Sequence, residues 1–332
     1  MSALLPEQLV QGILEAIQES GAAGMLVSSV RTHPRQFLIS KPTGETHSLW
    51  VYAWTLTPGG RPQLKNEYRI QMTSVTPPLP LHPDGPTVLI GYEPNLKMFA
   101  GFDLTRHRTF TKGSPSVQID ITALHKALQD GLAFDRKDNH EIAVAVRPDQ
   151  FLTYAYDAAN LHRYGRDTAT LSLLSKASAL EPIKPIDIAA LPTQRQRVVQ
   201  TVSRMSRAAN FRQQVLSAYS NRCAVSRSQL RLVDAAHILP VGAPGSIDHV
   251  CNGLALSPTF HRAFDSALVY LDEHYAMRLN PEKESSLIKL NLDGGLDAFK
   301  AALGKIHLPP DRQQWPDHRF IKKANQFRRI QA

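Results

Sequence analysis

The sequence has few of the features that mark secreted or membrane proteins. Its 332 residues include only two cysteines, Cys223 and Cys251, too few for a framework of disulfide bonds. No apolar run approaches the roughly 18 residues that span a bilayer. The N-terminus also lacks the basic segment and continuous apolar core of a signal peptide. These absences argue against the disulfide-rich and membrane-spanning classes and predict a globular, cytoplasmic protein.

Acidic residues fail to balance the basic ones in one half of the chain. Residues 1–165 contain 15 Lys and Arg and 15 Asp and Glu, whereas residues 166–332 contain 23 and 14. The whole net charge of +9 therefore belongs to the C-terminal half. Because Lys and Arg bind phosphates and release their counterions, this excess favours a polyanion as the partner. A basic surface that only maintains solubility is the alternative.

Hydrophobic patterning predicts an α+β architecture in two domains. Short β-branched and aromatic runs, separated by turn signals, predict several strands over residues 24–120, in a domain that covers residues 1–160. Residues 161–192 have little periodicity and are predicted to be a linker. Residues 193–332 form the second domain. The helix predicted near the N-terminus is expected to bury Leu9, Val10, Ile13, Leu14 and Ile17.

A long basic helix is predicted to open the second domain. Apolar residues of TQRQRVVQTVSRMSRAANFRQQVLSAYSNRC fall at the spacing of one helix face, and arginines occupy the other faces. Arginines can follow a phosphate backbone, although charge alone cannot read a base sequence. Arginines that only face water are the alternative. The predicted DNA contacts are Arg204, Arg207, Arg212 and, further along the chain, Arg262. The predicted buried face comprises Val198, Val202, Met205, Ala209 and Val215.

The stretch DAAHILPVGAPGSIDHVCNGLALSPTFHRAFD places two histidines and several turn signals in a defined order. His237 lies in an apolar, β-capable run, which a Pro/Gly-rich loop and an Asn-Gly turn signal follow. Ser257 and Pro258 then suit the start of a helix. In that helix His261 and Asp265 are four residues apart and share a face. The pattern predicts strand, loop, strand and helix.

These ordered motifs resemble the HNH endonuclease family, whose ββα-metal core is named after a His, an Asn and a His in this order. The segments AAHILP, NGLAL and HRAFD carry the resemblance, and the core covers about residues 210–280. The surrounding sequence is similar to the subgroup found beside restriction and defence domains. The resemblance implies a C-terminal ββα-metal domain with flanking helices and the activity of a metal-dependent DNA endonuclease.

The resemblance also implies roles for individual residues, so that the expected catalytic set is His237, Asn252 and His261. His237 becomes the general base, since a neutral imidazole with a reference pKa near 6.5 can take a proton from water. Asn252 braces the loop and keeps that base oriented. His261 and Asp265 match the metal-binding positions of the helix, and an imidazole with a carboxylate suits Mg²⁺ or Mn²⁺.

One position departs from the family pattern. Many members place a metal-binding Asp or His directly before the base, where this chain has Ala236. Asp234 lies on the same side of an extended strand and is expected as the substitute ligand, with water as the alternative. The departure keeps open a DNA-binding protein with a degenerate HNH core. Cys223 begins a C-x-x-S segment, so no cysteine is predicted to bind zinc.

The N-terminal domain carries no motif of comparable specificity. Trp50, Tyr52, Trp54 and Tyr68 suit a hydrophobic core better than a cage for stacked bases. Two roles stay open for this domain. It recognises a DNA sequence or a modified base, as analogy with restriction enzymes favours, or it binds a small signalling ligand that licenses the nuclease. A homodimer is an open alternative to the monomer.

Overall fold

The computed structural model describes residues 3–41, 44–111 and 115–330. They form two units, and the boundary between Ser206 and Arg207 falls within one long helix. Both units mix helices with mainly antiparallel strands, so the predicted α+β class is confirmed. Within the described ranges, every helix is too short or too polar to span a bilayer.

The N-terminal unit is built on a seven-stranded sheet and a three-stranded sheet. Its strands are β1 (Ala23–Leu26), β2 (Arg35–Ser40), β3 (Thr46–Thr55), β4 (Thr57–Pro58), β5 (Glu67–Gln71), β6 (Thr87–Glu93), β7 (Met98–Phe102), β8 (Ser116–Asp120), β9 (Leu132–Arg136) and β10 (Ile142–Val146). The large sheet has the order β1-β2-β3-β6-β7-β10-β9, and the small sheet has the order β4-β5-β8. The β3–β6 pair is parallel, and the other neighbouring pairs are antiparallel.

Helices pack on both faces of the large sheet. They are α1 (Pro6–Glu19), α2 (Leu104–His107), α3 (Ile121–Asp130), α4 (Phe151–Tyr164), α5 (Thr168–Ser178), α6 (Pro185–Ala189) and α7 (Thr193–Ala218), with a 3-10 turn at Pro148–Gln150. Helices α1, α4 and α5 and the first part of α7 pack on one face of the large sheet, and the small sheet packs with α3 on the other. Of the predicted apolar face of α1, Leu14 is only half-buried and the other four residues are buried. Tyr52 and Trp54 lie in the core under the small sheet, whereas Trp50 and Tyr68 are half-buried.

The segment predicted as a linker, residues 161–192, differs from that prediction. It contains the end of α4 and the whole of α5 and α6. Leu173, Leu174 and Leu191 are buried in the same core as α1. Within this segment α4 contributes only its last four residues, α5 has 11 and α6 has five, so each periodic signal is short and the sequence pattern alone does not reveal it.

The C-terminal unit has two small sheets around its own core. Its strands are β11 (Asp234–His237), β12 (Gly253–Leu256), β13 (Val269–Leu271), β14 (Ala276–Leu279) and β15 (Gly304–Lys305). Its helices are α8 (Pro258–Asp265), α9 (Pro281–Lys289), α10 (Leu296–Ala301) and α11 (His318–Phe327), with 3-10 turns at Val250–Asn252 and Arg312–Gln314. Strands β11 and β12 form an antiparallel pair, and β13, β14 and β15 form an antiparallel sheet.

The C-terminal part of α7 packs closely against β12. Phe211 and Val215 are buried in the core of the C-terminal unit. At Gly253, a Cβ atom would lie 2.3 Å from Val215 Cγ2 and 3.1 Å from Phe211 Cζ, so a larger residue does not fit without movement. Within the predicted buried face of α7, Met205 is exposed and Ala209 is half-buried.

Candidate active site

The predicted order of strand, loop, strand and helix is present in the C-terminal unit. His237 ends β11 and pairs with Gly253, the first residue of β12. The chain then passes from β12 into α8, where Pro258 occupies the first helical turn. Ser257 is the N-cap by backbone conformation, although its side chain makes no capping hydrogen bond. The hairpin and α8 together place His237 near the face of α8 that carries His261.

The His237 imidazole is held on two sides. Its ring stacks on the Phe211 ring, with centroids 3.8 Å apart and an angle of 14° between the planes. Its Nε2 lies 2.9 Å from Asp248 Oδ1, and the side chain is 17% exposed. An ionised carboxylate only accepts hydrogen bonds, so Nε2 carries the proton and donates it to Asp248. The lone pair of the neutral ring is therefore on Nδ1.

The surroundings of His237 favour its neutral form. Burial lowers the pKa of His237 below the usual 6.5, and the hydrogen bond to Asp248 opposes part of this effect. A neutral imidazole with a free lone pair can accept a proton from water at neutral pH. The orientation of the imidazole is set by the Phe211 ring on one side and the Asp248 carboxylate on the other.

Asn252 is fully buried and braces the loop between the two strands. Its Oδ1 accepts from the backbone N–H of Leu239 at 2.8 Å. Its Nδ2 donates to the carbonyl oxygens of Leu239 and Ile247, at 3.2 and 3.0 Å. Leu239 lies two residues after His237 and Ile247 directly precedes Asp248, so this one amide holds the two ends of the loop that joins His237 to Asp248.

His261 lies between two carboxylates that face different ring atoms. Its Nε2 is 3.3 Å from Asp265 Oδ2, and its Nδ1 is 3.9 Å from Asp234 Oδ2. Arg212 Nη1 donates to Asp234 Oδ1 at 2.8 Å. In the described part of the chain, no three His, Cys, Asp or Glu side chains converge as a preformed metal site. His261 and Asp265 supply an imidazole nitrogen and a carboxylate oxygen on one side of α8, a donor pair that fits a hard divalent ion.

Asp234 and His261 alter each other's titration. The nearby Asp234 carboxylate raises the pKa of His261 above its usual value, and burial opposes this. Burial alone would raise the pKa of Asp234, but His261 and Arg212 outweigh it and hold that pKa below its usual range. A metal ion must therefore compete with a proton for the His261 ring.

The four arginines predicted to contact DNA lie in different settings. Arg204 and Arg207 are exposed on α7, on either side of the boundary in the sequence between the units. Arg212 is engaged with Asp234, so it orients the site. Arg262 is exposed and lines a cavity of about 640 Å³ beside α10. The structure thus gives Arg212 and Arg262 surroundings that the sequence pattern does not indicate.

Three residues around His237 were missed by reasoning from the sequence. Asp248 and Phe211 contact its ring, and Arg328 Nη1 donates to the carbonyl oxygen of Ile238 at 2.8 Å. The Arg328 guanidinium also lies over the Phe264 ring, 4.4 Å from its centroid. Phe211 and Arg328 are distant in the chain, and no local signal pairs either with His237. For Asp248, the sequence offers one signal, since it is an acidic residue in the loop predicted between the two strands.

Comparisons with known proteins identify a family in each unit. Residues 223–272 match the family described as HNH endonuclease, and residues 47–155 match the family described as methylase-associated X1. Among solved structures, the chain is similar to a modification-dependent TagI restriction endonuclease, with 12% identity and a TM-score of 0.31 over 89% of this chain and 85% of that chain. A search of curated proteins found no match. The chain is therefore a nuclease with an HNH endonuclease domain in its C-terminal unit, which follows a methylase-associated domain.

Proposed function

We propose that the protein is a restriction-type DNA endonuclease that uses His237 as its general base and acts in the cytoplasm. The observation that carries the proposal is the His237 imidazole, neutral by burial, tied to Asp248 through Nε2 and left with a lone pair on Nδ1. DNA is the proposed substrate because the C-terminal unit is basic, with 17 Lys and Arg against 11 Asp and Glu.

In the proposed reaction, His237 Nδ1 accepts a proton from water while the water oxygen attacks the scissile phosphorus. A new P–O bond forms, the bond to the 3′ oxygen breaks, and the electron pair leaves with that oxygen, which then takes up a proton. The Asp248 carboxylate stabilises the imidazolium that forms, because it already accepts a hydrogen bond from Nε2. The imidazolium returns its proton to solvent before the next cycle.

His261 and Asp265 are the proposed ligands of a divalent ion, Mg²⁺ or Mn²⁺. When bound, such an ion polarises the phosphate and stabilises the leaving 3′ oxygen. Asp234 faces the other ring nitrogen of His261 at 3.9 Å, so we assign its carboxylate to orientation of the imidazole by charge. Arg212 anchors Asp234 in that role. Water is the proposed ligand at the position that many family members fill with the residue before the base.

The N-terminal unit is proposed to select the target DNA. Its match to a methylase-associated family supports this role, since a nuclease that accompanies a methylase must distinguish modified from unmodified DNA. A signalling ligand is the second candidate, supported by two cavities of about 460 and 630 Å³ that share Gln118 and Lys137. Cleavage of methylated and unmethylated plasmids, without added nucleotides, separates the two: selection by methylation state supports target recognition, and activity that needs an added small molecule supports the second candidate.

The test of the nuclease proposal is a plasmid-cleavage assay with Mg²⁺ or Mn²⁺. We expect His237→Ala to lose about 10²-fold or more in rate and to keep DNA binding, because the base acts only in the reaction. His274→Ala is the matched control, since His274 is an exposed histidine of the same unit. Cleavage by His237→Ala at the rate of the parent contradicts the assignment. DNA binding without cleavage by the parent with either metal favours the degenerate core.

A further inference from the structure

A strained turn lies just before the strand that carries the base. The turn spans Gln229–Leu232, and the Leu232 N–H donates to the Gln229 carbonyl at 2.9 Å. Its two central residues have positive φ angles, 45° at Leu230 and 53° at Arg231. Turns of this kind favour Asn-Gly, because most side chains are strained in the left-handed region. Leucine at the first of these positions and arginine at the second are therefore unfavourable for folding.

The same turn exposes apolar side chains to solvent. Leu230 is 80% exposed and Leu232 is 56% exposed. The turn is nevertheless anchored, since Gln229 Nε2 donates to the Ser220 carbonyl at 3.4 Å and the Cys223 N–H donates to the Ser228 carbonyl at 2.9 Å. Backbone strain and an exposed apolar tip both oppose stability, and such features persist where they serve binding.

The charge around the turn indicates what the tip binds. No acidic residue occurs between Asp187 and Asp234, a stretch that contains eight arginines. Arg222, Arg227 and Arg231 of this stretch are exposed, and the last two lie within three positions of Leu230 in the chain. An acidic protein surface could pair with the arginines but would leave the leucine tip without an apolar site. DNA offers both partners, phosphates for the arginines and base faces for the leucine.

We propose that Leu230 is a wedge that enters the minor groove of the substrate duplex and partly unstacks one base step. Arg227 and Arg231 hold the phosphates on either side of it. The proposal rests on the proposed DNA endonuclease function and adds the way in which the duplex is deformed. Wedges of this kind unstack a step and bend the duplex toward the major groove, which opens the minor groove.

The chain length fixes where the wedge acts. Leu230 precedes His237 by seven residues, which span at most about 25 Å. One turn of B-DNA is about 34–36 Å long. The unstacked step therefore lies within about one helical turn of the scissile phosphate, and the bend is centred close to the base His237.

The test compares Leu230→Ala and Leu230→Asn with Leu290→Ala, an exposed leucine of the same unit that lies outside the turn. Each is made in the full chain, with and without His237→Ala. The His237→Ala forms bind duplexes that carry 2-aminopurine at successive positions, or a donor and acceptor dye at the two ends. The parent and the three leucine variants that retain His237 are assayed for plasmid cleavage.

We expect the parent and Leu290→Ala to raise 2-aminopurine fluorescence at one step and to shorten the distance between the dyes. Leu230→Ala should lose both signals and about tenfold in cleavage rate, while the salt dependence of binding stays unchanged because no phosphate contact is removed. Leu230→Asn should lose the same signals yet melt about 2–4 °C higher, since asparagine tolerates the left-handed region. A merely structural leucine would instead give a lower melting temperature.

The outcomes separate the two proposals. If the parent cleaves DNA and Leu230→Ala keeps both distortion signals, the wedge is overturned and the nuclease stands. If the parent distorts DNA through Leu230 but cleaves nothing with either metal, the nuclease proposal fails and the wedge remains. A Leu230→Asn variant that is less stable and still distorts DNA also overturns the wedge.

Discussion

The two units place histidines in opposite circumstances. In the N-terminal unit, His162 is buried and both of its ring nitrogens have partners. Its Nε2 lies 2.9 Å from the Tyr154 hydroxyl, and its Nδ1 lies 3.0 Å from the Ile142 carbonyl oxygen. Burial lowers the pKa of His162 to about 4. In the C-terminal unit, His237 also has a lowered pKa, but its partner Asp248 satisfies one nitrogen only. A lowered pKa alone therefore does not mark a candidate base, and the proposal for His237 depends also on the ring nitrogen that Asp248 leaves available.

A buried side-chain amide in each unit extends the comparison. Replacing the amide of the C-terminal unit has the largest expected effect, a loss of folding stability. Asn252 uses both ends of its amide, whereas Gln150 in the N-terminal unit is equally buried and its Oε1 has no hydrogen-bond partner among the residues that the structure describes. Asn252→Ala should lower the free energy of unfolding of its unit by about 3 kcal/mol, because it orphans the Leu239 and Ile247 groups. Gln150→Ala should cost clearly less. Chemical denaturation of both variants checks this, and equal losses would contradict it.

The next largest expected effect comes from removing the Asp248 carboxylate, which lies 2.9 Å from His237 Nε2. Asp248→Ala should reduce the cleavage rate by about 10²-fold with little change in DNA binding, because the imidazole loses its orientation and the stabilisation of its charged form. Asp248→Glu should recover part of the rate. Glu273→Ala, an exposed acid of the same unit, is the control. A fall in folding stability that accounts for the whole loss of rate would instead make Asp248 a structural residue.

Acid should weaken the N-terminal unit through His162. Its folded-state pKa is depressed, so the unfolded chain binds the proton first as pH falls. Its contribution is therefore complete above pH 6.5 and declines as pH falls toward about 4, by about 3 kcal/mol in all. Thermal melting between pH 7.5 and 4.5 measures the decline. His162→Gln should flatten it, whereas His125→Gln, at an exposed site, should leave it intact.

The smallest expected effect is at Arg212. Arg212→Gln releases Asp234, which then holds the His261 ring less firmly, so metal affinity should fall about tenfold. Titration of binding and of cleavage with Mn²⁺ measures it, with Arg207→Gln as the control on the same helix. If Arg212→Gln weakens DNA binding and leaves the Mn²⁺ concentration for half-maximal activity unchanged, Arg212 contacts DNA phosphate, as the sequence suggests.

The sequence predicts what lies close together in the chain. His261 and Asp265 share one helix face, and the hairpin that carries His237 is set by loop and turn residues within about twenty positions of it. The stacking of Phe211 and the Arg328 contact join residues tens of positions apart, and a single sequence has no periodic signal for such pairs. The parallel β3–β6 pair is hidden for the same reason, since β4 and β5 intervene.

Gly253 makes the alignment of the base depend on a missing methyl group. It pairs with His237 across the hairpin, and Phe211 and Val215 of α7 approach its Cα where any side chain would lie. Even alanine would have to push α7 outward, and the Phe211 ring, which supports the imidazole, would move with it. Gly253 has no side chain that could take part in the proposed reaction, yet its small size keeps Phe211, and with it the His237 ring, in position.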